Sequence, residues 1–139
     1  MSDLIVTAGP YRLTARLETG KAPLTCAAFL GMLPFKENLL HVRWSGESTW
    51  VPLGNLPVAV PPENATTYPL PGEILLYPGG VSETEILIPY GRTQFGSKAG
   101  LLAGNHFLTV VSGAEHLADL GRLTLWEGAQ PIMIDRFDD

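Results

Sequence analysis

The chain of 139 residues contains one cysteine, Cys26. An internal disulfide is therefore impossible, and a thiolate zinc cage is excluded. Charge is scarce as well: charged residues make up 17% of the chain, and the formal net charge is -5. The basic residues are scattered, with Lys21, Lys36 and Lys98 far apart and no Lys/Arg cluster. A nucleic-acid surface needs a basic patch, so no nucleic-acid partner is expected. No apolar run approaches the roughly 18–20 residues that span a bilayer, so no membrane partner is expected either. The segment Met1 to Thr7 lacks the basic region and apolar core of a secretory signal, which makes a cytoplasmic location the expectation. No HxxxH, HxH or HExxH spacing occurs, nor any GxGxxG or Walker loop, so neither a metal site nor a cofactor is implied.

What the chain does have is apolar content, 45% of its residues, together with 12 prolines and 15 glycines. That composition reads as one globular domain over 1–139, cut into short pieces that favour strands and turns over a helical bundle. Leu4–Ala8 and Tyr11–Leu17 read as strands around Gly9-Pro10. Pro23 to Leu33 is the main helix candidate: Pro suits a first helical position, Leu24, Ala27, Ala28 and Gly31 form an i, i+3, i+4, i+7 stripe, and Pro34 stops it. The Leu24/Ala28 face is expected to pack on the sheet. Leu39–Val51 reads as strand material, with a hairpin about Ser45-Gly46-Glu47. A proline-rich connection over 52–71 follows, with one short strand at Val58–Val60. Glu73–Tyr77, Glu83–Ile88 and His106–Val111 read as strands rich in Ile, Leu, Val and Phe. A short second helix over Glu115–Leu120, stopped by Gly121, precedes strands at Arg122–Trp126 and Ile132–Phe137.

The richest segment is Tyr77-Pro78-Gly79-Gly80, a strand end and turn, followed by Glu83 and Glu85. Side chains alternate along a strand, so these two carboxylates should share a face. Adjacent there, their mutual repulsion would raise the pKa of one, which suits general acid catalysis; the other reading is a solvated strand face, or salt bridges with Arg92 and Lys98.

Together these segments resemble a known family. The helix ending in Leu33-Pro34-Phe35, then Arg43-Trp44-Ser45-Gly46-Glu47, Pro71-Gly72-Glu73-Ile74-Leu75-Leu76-Tyr77-Pro78-Gly79, Glu83 to Gly91 and Lys98 to His106 carry the resemblance. It is to DUF3830, a family of small bacterial proteins in the cyclophilin-like superfamily. The resemblance implies a mainly β fold, a closed or nearly closed β-barrel of about eight strands with one main helix and a short second helix, in which closure removes the sheet edges. Active cyclophilins carry Phe-His-Arg and then Gln-Gly-Gly-Asp. Here His41-Val42-Arg43 is a loose echo, and Ser48-Thr49-Trp50-Val51 stands in the later place. Peptidyl-prolyl isomerase activity is therefore not expected.

Individual residues suggest a small-molecule site. Arg43 can hold a carboxylate or carbonyl with its planar fork, and Trp44 or Trp50 can supply an aromatic wall. Glu47 sits across the same turn. Lys98 lies in a glycine-rich loop and suits an anion; Ser97 beside it is no dyad, because neighbouring strand side chains diverge. His106 opens a strand after that loop and can titrate near neutral pH, and Tyr77 and Tyr90 offer hydroxyls near turns. The expected ligand-binding set is Arg43, Trp44, Glu47, Tyr77, Glu83, Tyr90, Lys98 and His106. Within it, Arg43, Glu83, Tyr90 and His106 are expected at a common cleft, with Glu83 and His106 as the catalytic candidates. The expected ligand is a small polar or anionic molecule. The competing reading is a non-catalytic accessory protein that uses these residues in ion pairs, and a homo-oligomer fits either reading.

Overall fold

Gly9, at φ +53°, takes the left-handed conformation that a two-residue hairpin loop demands, and Pro10 completes the turn. The hairpin joins β1 (Leu4–Ala8) to β2 (Tyr11–Leu17). The computed structural model describes residues 2–137. After β2 come α1 (Pro23–Leu30), β3 (Phe35–His41), β4 (Gly46–Gly54), β5 (Ala65–Thr66), β6 (Glu73–Tyr77) and β7 (Thr84–Thr93). Two-residue strands β8 (Gly96–Ser97) and β9 (Gly100–Leu101) precede β10 (Gly104–Ser112). A single 3-10 turn at Ala114–His116 leads into α2 (Leu117–Glu127), and β11 (Gln130–Arg136) ends the fold.

Eight strands close a ring in the order β1-β2-β10-β6-β7-β4-β3-β11, every pairing antiparallel. The mainly β, closed-barrel expectation holds. Closure leaves no long unpaired edge for another chain to join. Inside lie Leu4, Val6, Leu13, Val51, Ile74, Leu76, Ile86, Ile88, Ile132 and Ile134, each no more than 2% exposed. Helix α1 sends Cys26 and Phe29 into this core, where the Phe29 ring meets Phe107 edge-on at 5.0 Å and Phe35 at 5.3 Å. Helix α2 adds Leu117 and Leu120. Full burial of one such side chain is worth about 1.5–3 kcal/mol.

Several local expectations need correction. Helix α1 ends at Leu30, capped by Gly31, and buries Thr25, Cys26 and Phe29, while Leu24 is 54% exposed. Every residue of Pro23–Leu30 except Thr25 is apolar, so the sequence offered no polar face from which to orient it. The second helix is the longer one, 11 residues against 8, and it absorbs the stretch Arg122–Trp126 expected as a strand. Gly121 does not stop it, because the Gly sits inside α2 against the Tyr90 ring, where no side chain would fit. The expected hairpin at Ser45-Gly46-Glu47 shifts so that the turn precedes Gly46 and β4 begins there. Val58–Val60 forms no strand; the short strand of that connection is β5 instead.

The long connection is nevertheless tied down. The buried Asn105 side chain accepts from the Glu63 amide at 3.2 Å and donates to Thr25 Oγ1 and the Pro61 carbonyl, each at 3.0 Å. The Glu63 carboxylate in turn accepts from the Thr25 amide at 2.7 Å. A loop with few backbone partners thus acquires them from one amide side chain, as buried polar groups require.

Candidate functional site

Residues directly opposite in a ladder share a face. Tyr77 pairs with Glu85, Leu75 with Leu87, Trp50 with Leu87 and Pro52 with Glu85. The intervening Leu76, Ile86 and Val51 belong to the barrel interior. Leu75, Tyr77, Glu85, Leu87 and Trp50 therefore face outward. They do not meet solvent, because a second small core forms on the outer wall from Leu75, Tyr77, Leu87, Phe95 and Leu102, with Val42 and Trp50 packed against it.

The cover is the segment between β7 and β10. Phe95 seats its ring edge-on to Tyr77 at 5.8 Å, and its amide donates to the Thr67 carbonyl at 2.7 Å. The buried Ser45 hydroxyl makes a reciprocal pair with Gly96, donating to its carbonyl at 3.2 Å and accepting from its amide at 3.1 Å. That pair pins the β8–β9 hairpin beside the β3–β4 turn, and so brings Lys98 near Arg43 and Trp44. On the far side, the Tyr77 hydroxyl accepts from the amides of Val81 and Ser82, at 3.0 and 3.4 Å, and holds the turn that presents Glu83.

These elements enclose a pocket of about 170 Å³ whose lining includes Arg43, Trp44, Trp50, Glu83, Glu85 and Lys98. Two acidic side chains, Glu83 and Glu85, and two cations, Arg43 and Lys98, line it, and among the described residues none of the four makes an ion pair. Arg43, Glu83 and Lys98 are exposed at the mouth, whereas Glu85 is only 5% exposed. No fully sealed side-chain oxygen lacks a hydrogen bond among the described residues. The Glu85 carboxyl makes no such bond, so its oxygens open onto the pocket. Burial, and secondarily the negative charge of Glu83, push its pKa up to about 8. At neutral pH this group holds its proton.

The other expected residues land elsewhere. Glu47 serves the β4–β7 pair: its carboxylate accepts from the Arg92 amide at 2.8 Å. It borders a shallow hollow of about 810 Å³ on another side of Trp44, walled by Tyr68, Leu70 and prolines and holding no buried charged group. Tyr90 lies against His41, with His41 Nε2 2.8 Å from its hydroxyl. His41 Nδ1 lies 2.8 Å from the Val42 carbonyl and must donate there, so in the neutral ring Nε2 accepts from Tyr90. Burial, then the Glu47 carboxylate, raise the Tyr90 pKa and keep that proton in place.

His106 belongs to a third place. Its Nε2 lies 2.7 Å from Thr109 Oγ1, and Thr109 donates to Glu18 at 2.6 Å. Burial raises the Glu18 pKa, but the hydrogen bonds from Thr109 and Arg16 outweigh it and hold the carboxylate below its ordinary value. Arg43, Glu83, Tyr90 and His106 thus do not meet at one cleft: the fold gathers Arg43 and Glu83, and sends Tyr90 and His106 to separate hydrogen-bonded pairs. Tyr77 does not line the pocket and instead holds the turn before Glu83. Among the described residues no cluster of three His, Cys, Asp or Glu side chains is placed to hold a metal ion.

The residue most underrated by the sequence is Glu85. Read as one of two carboxylates sharing a strand face, it becomes the buried one because Phe95 and the β8–β9 hairpin close over it. The available signal was its alternation with Leu87 and Ile86, an acidic residue at the head of a run apolar on both faces.

The described residues include no helix long and apolar enough to cross a membrane. Two solved structures share the fold. McbB, solved in complex with tryptophan, aligns with a TM-score of 0.73 at 17% identity over 98% of this chain, which spans 45% of that McbB chain. The hypothetical protein AF2241 from Archaeoglobus fulgidus aligns with a TM-score of 0.64 at 18% identity, over 98% of this chain and 95% of its own. No curated protein matches the sequence. The family model for DUF3830, a protein of unknown function, matches residues 4–135, and the chain belongs to that family.

Proposed function

We propose that the pocket on the outer wall of the barrel binds a small polar molecule, with Arg43 and Lys98 holding an anionic group of it. One observation carries this reading: Glu85, a carboxyl nine-tenths buried, opens onto the pocket without a protein partner. A largely buried carboxyl is costly to leave without a protein or ligand partner. A bound molecule supplies one. Sites of this kind combine apolar walls with a few placed polar groups, and Trp44, Trp50 and Val42 provide the walls. McbB, of like fold, accommodates the small molecule tryptophan, which supports a small-molecule reading. A carboxyl that titrates near neutrality can also pass a proton to what it binds, so any reaction would be run here with Glu85 as general acid or base.

The test is a thermal-shift screen of small carboxylates, phosphates and amines, followed by calorimetry on the best hit. Arg43→Ala should weaken binding tenfold to a hundredfold, the loss of one charged hydrogen bond at about 1.5–3 kcal/mol. A hit whose affinity survives both Arg43→Ala and Glu85→Gln would end this reading.

The alternative, an accessory interaction protein, is favoured by Trp126 and Leu125, 78% and 51% exposed at the end of α2. Large apolar side chains exposed together mark contact surfaces. On that reading, Trp126→Ser would abolish partner capture while leaving small-molecule binding untouched.

A further inference from the structure

On the reading that the Glu85 pocket is a ligand site, we propose that its ligand is a zwitterion: a compact molecule carrying both a protonated amine and a carboxylate. The ammonium is received by Glu85 and the tryptophan faces, the carboxylate by Arg43 and Lys98.

Two acidic side chains and two cations line one small pocket, yet among the described residues none pairs with another. A purely anionic ligand would satisfy Arg43 and Lys98 but press its charge toward Glu83 and leave the Glu85 carboxyl without a cation. A purely cationic ligand would do the reverse. Like charges in a partly desolvated site repel, and the penalty grows as water leaves. Only a molecule with both poles satisfies both sets.

The walls agree with this. Trp44 and Trp50 line the pocket, and indole is the best aromatic partner for a cation. The volume of about 170 Å³ lies below the roughly 300–1,000 Å³ of drug-sized sites, so the two poles must sit close together.

Proton balance supplies a signature. The titratable groups around the Glu85 carboxyl are Glu83 on the preceding turn, Tyr77 opposite on β6, and Arg43 and Lys98 from the two flanking turns. In the free protein, burial and Glu83 keep Glu85 protonated at neutral pH. An ammonium brought into contact favours the carboxylate, so binding expels that proton to solvent.

The experiment uses the full chain and matched trios of probes: L-leucine with isocaproate and isoamylamine, and L-phenylalanine with hydrocinnamate and phenethylamine. The smaller amino acids and their truncated counterparts extend the set. Calorimetry at pH 7 is run in two buffers of different ionisation enthalpy. The expected result is an amino acid bound at least tenfold tighter than both truncated counterparts, with proton release that disappears in Glu85→Gln. Arg43→Gln, on an exposed turn, should weaken that amino acid and level its advantage over the amine, independently of how Glu85→Gln folds. If the carboxylates bind as well as their parent amino acids, and still depend on Arg43, the zwitterion proposal falls and the small-molecule site stands. If no member of any trio binds, this proposal is overturned; the site reading falls with it only if the phosphates and other carboxylates of the broader screen fail as well.

Discussion

Tyr77 stands directly opposite Glu85 across the β6–β7 ladder, and its hydroxyl accepts the Val81 and Ser82 amides rather than approaching the carboxyl. The nearest hydroxyl on the facing strand is thus committed to shaping the turn, and Glu85 is left to the pocket.

That isolation sets a pH dependence of stability. The folded Glu85 titrates near 8, the unfolded chain near an ordinary carboxyl value of about 4.3. Below the unfolded value both states are protonated and Glu85 contributes nothing. Between the two values the folded state keeps a proton that the unfolded state has lost, so stability falls as pH rises, by on the order of 1 kcal/mol per pH unit, and the loss is complete above about 8. Glu85→Gln should remove this slope. Denaturant unfolding should find the variant close to the parent at pH 5 and more stable by about a few kcal/mol at pH 9. Parallel pH profiles for the two proteins would refute a buried, unpaired carboxyl.

Gly121→Ala should destabilise by about 1–3 kcal/mol, because a methyl at this position overlaps the Tyr90 ring. Propensity alone argues the other way, since Ala is the better helix former by about 1 kcal/mol. The sign of the shift in melting temperature therefore decides between packing and propensity. Pairing the change with Tyr90→Ala should recover part of the loss.

Cys26 should be inert in the native protein. It is 1% exposed, its Sγ contacts the Phe107 carbonyl at 3.4 Å, and burial raises the thiol pKa to about 11. Nucleophilic attack needs the thiolate and access to it. A thiol reagent should label Cys26 only as fast as the barrel unfolds, with labelling and unfolding sharing one denaturant midpoint. Rapid labelling without unfolding would contradict the core position.

His106→Ala should leave the affinity of any pocket ligand unchanged and act on stability instead. Its partner Thr109 also holds Glu18, which joins β10 to the end of β2 through the Glu18 amide and the Phe107 carbonyl at 2.8 Å. A modest fall in melting temperature, about 1 kcal/mol for one hydrogen bond, with calorimetric affinity intact is the expected pattern. A tenfold loss of affinity would return His106 to the site.

Strands with a clean local signature were legible residue for residue: β1, β2 and β6 lie where alternation and the Gly9-Pro10 and Pro78-Gly79 turns put them. Closure of the barrel, given by the family resemblance, also stands. What failed was decided by distant contacts. Residues 122–126 carry strand-like Leu-Thr-Leu-Trp, yet extend α2, because Gly121 lets the helix close on Tyr90. The site was half legible. Arg43, Trp44, Glu83 and Lys98 do share a pocket, since turns present them. Tyr90 and His106 looked equally poised, but each is consumed by a partner many residues away, His41 and the Thr109–Glu18 pair, that no local pattern announces.

The pocket is built on the outward side of a ladder whose inward side is the barrel core. Trp50 and Val51, or Glu85 and Ile86, are sequence neighbours that answer to different demands. Ligand preference and foldability are therefore separately heritable: a lineage can exchange Trp50, Glu85 and Lys98 in succession while Val51 and Ile86 keep the chain folded. A combinatorial library confined to Trp50, Glu85 and Lys98 should stay populated with folded members as it redirects recognition, whereas one drawn from Val51 and Ile86 should collapse.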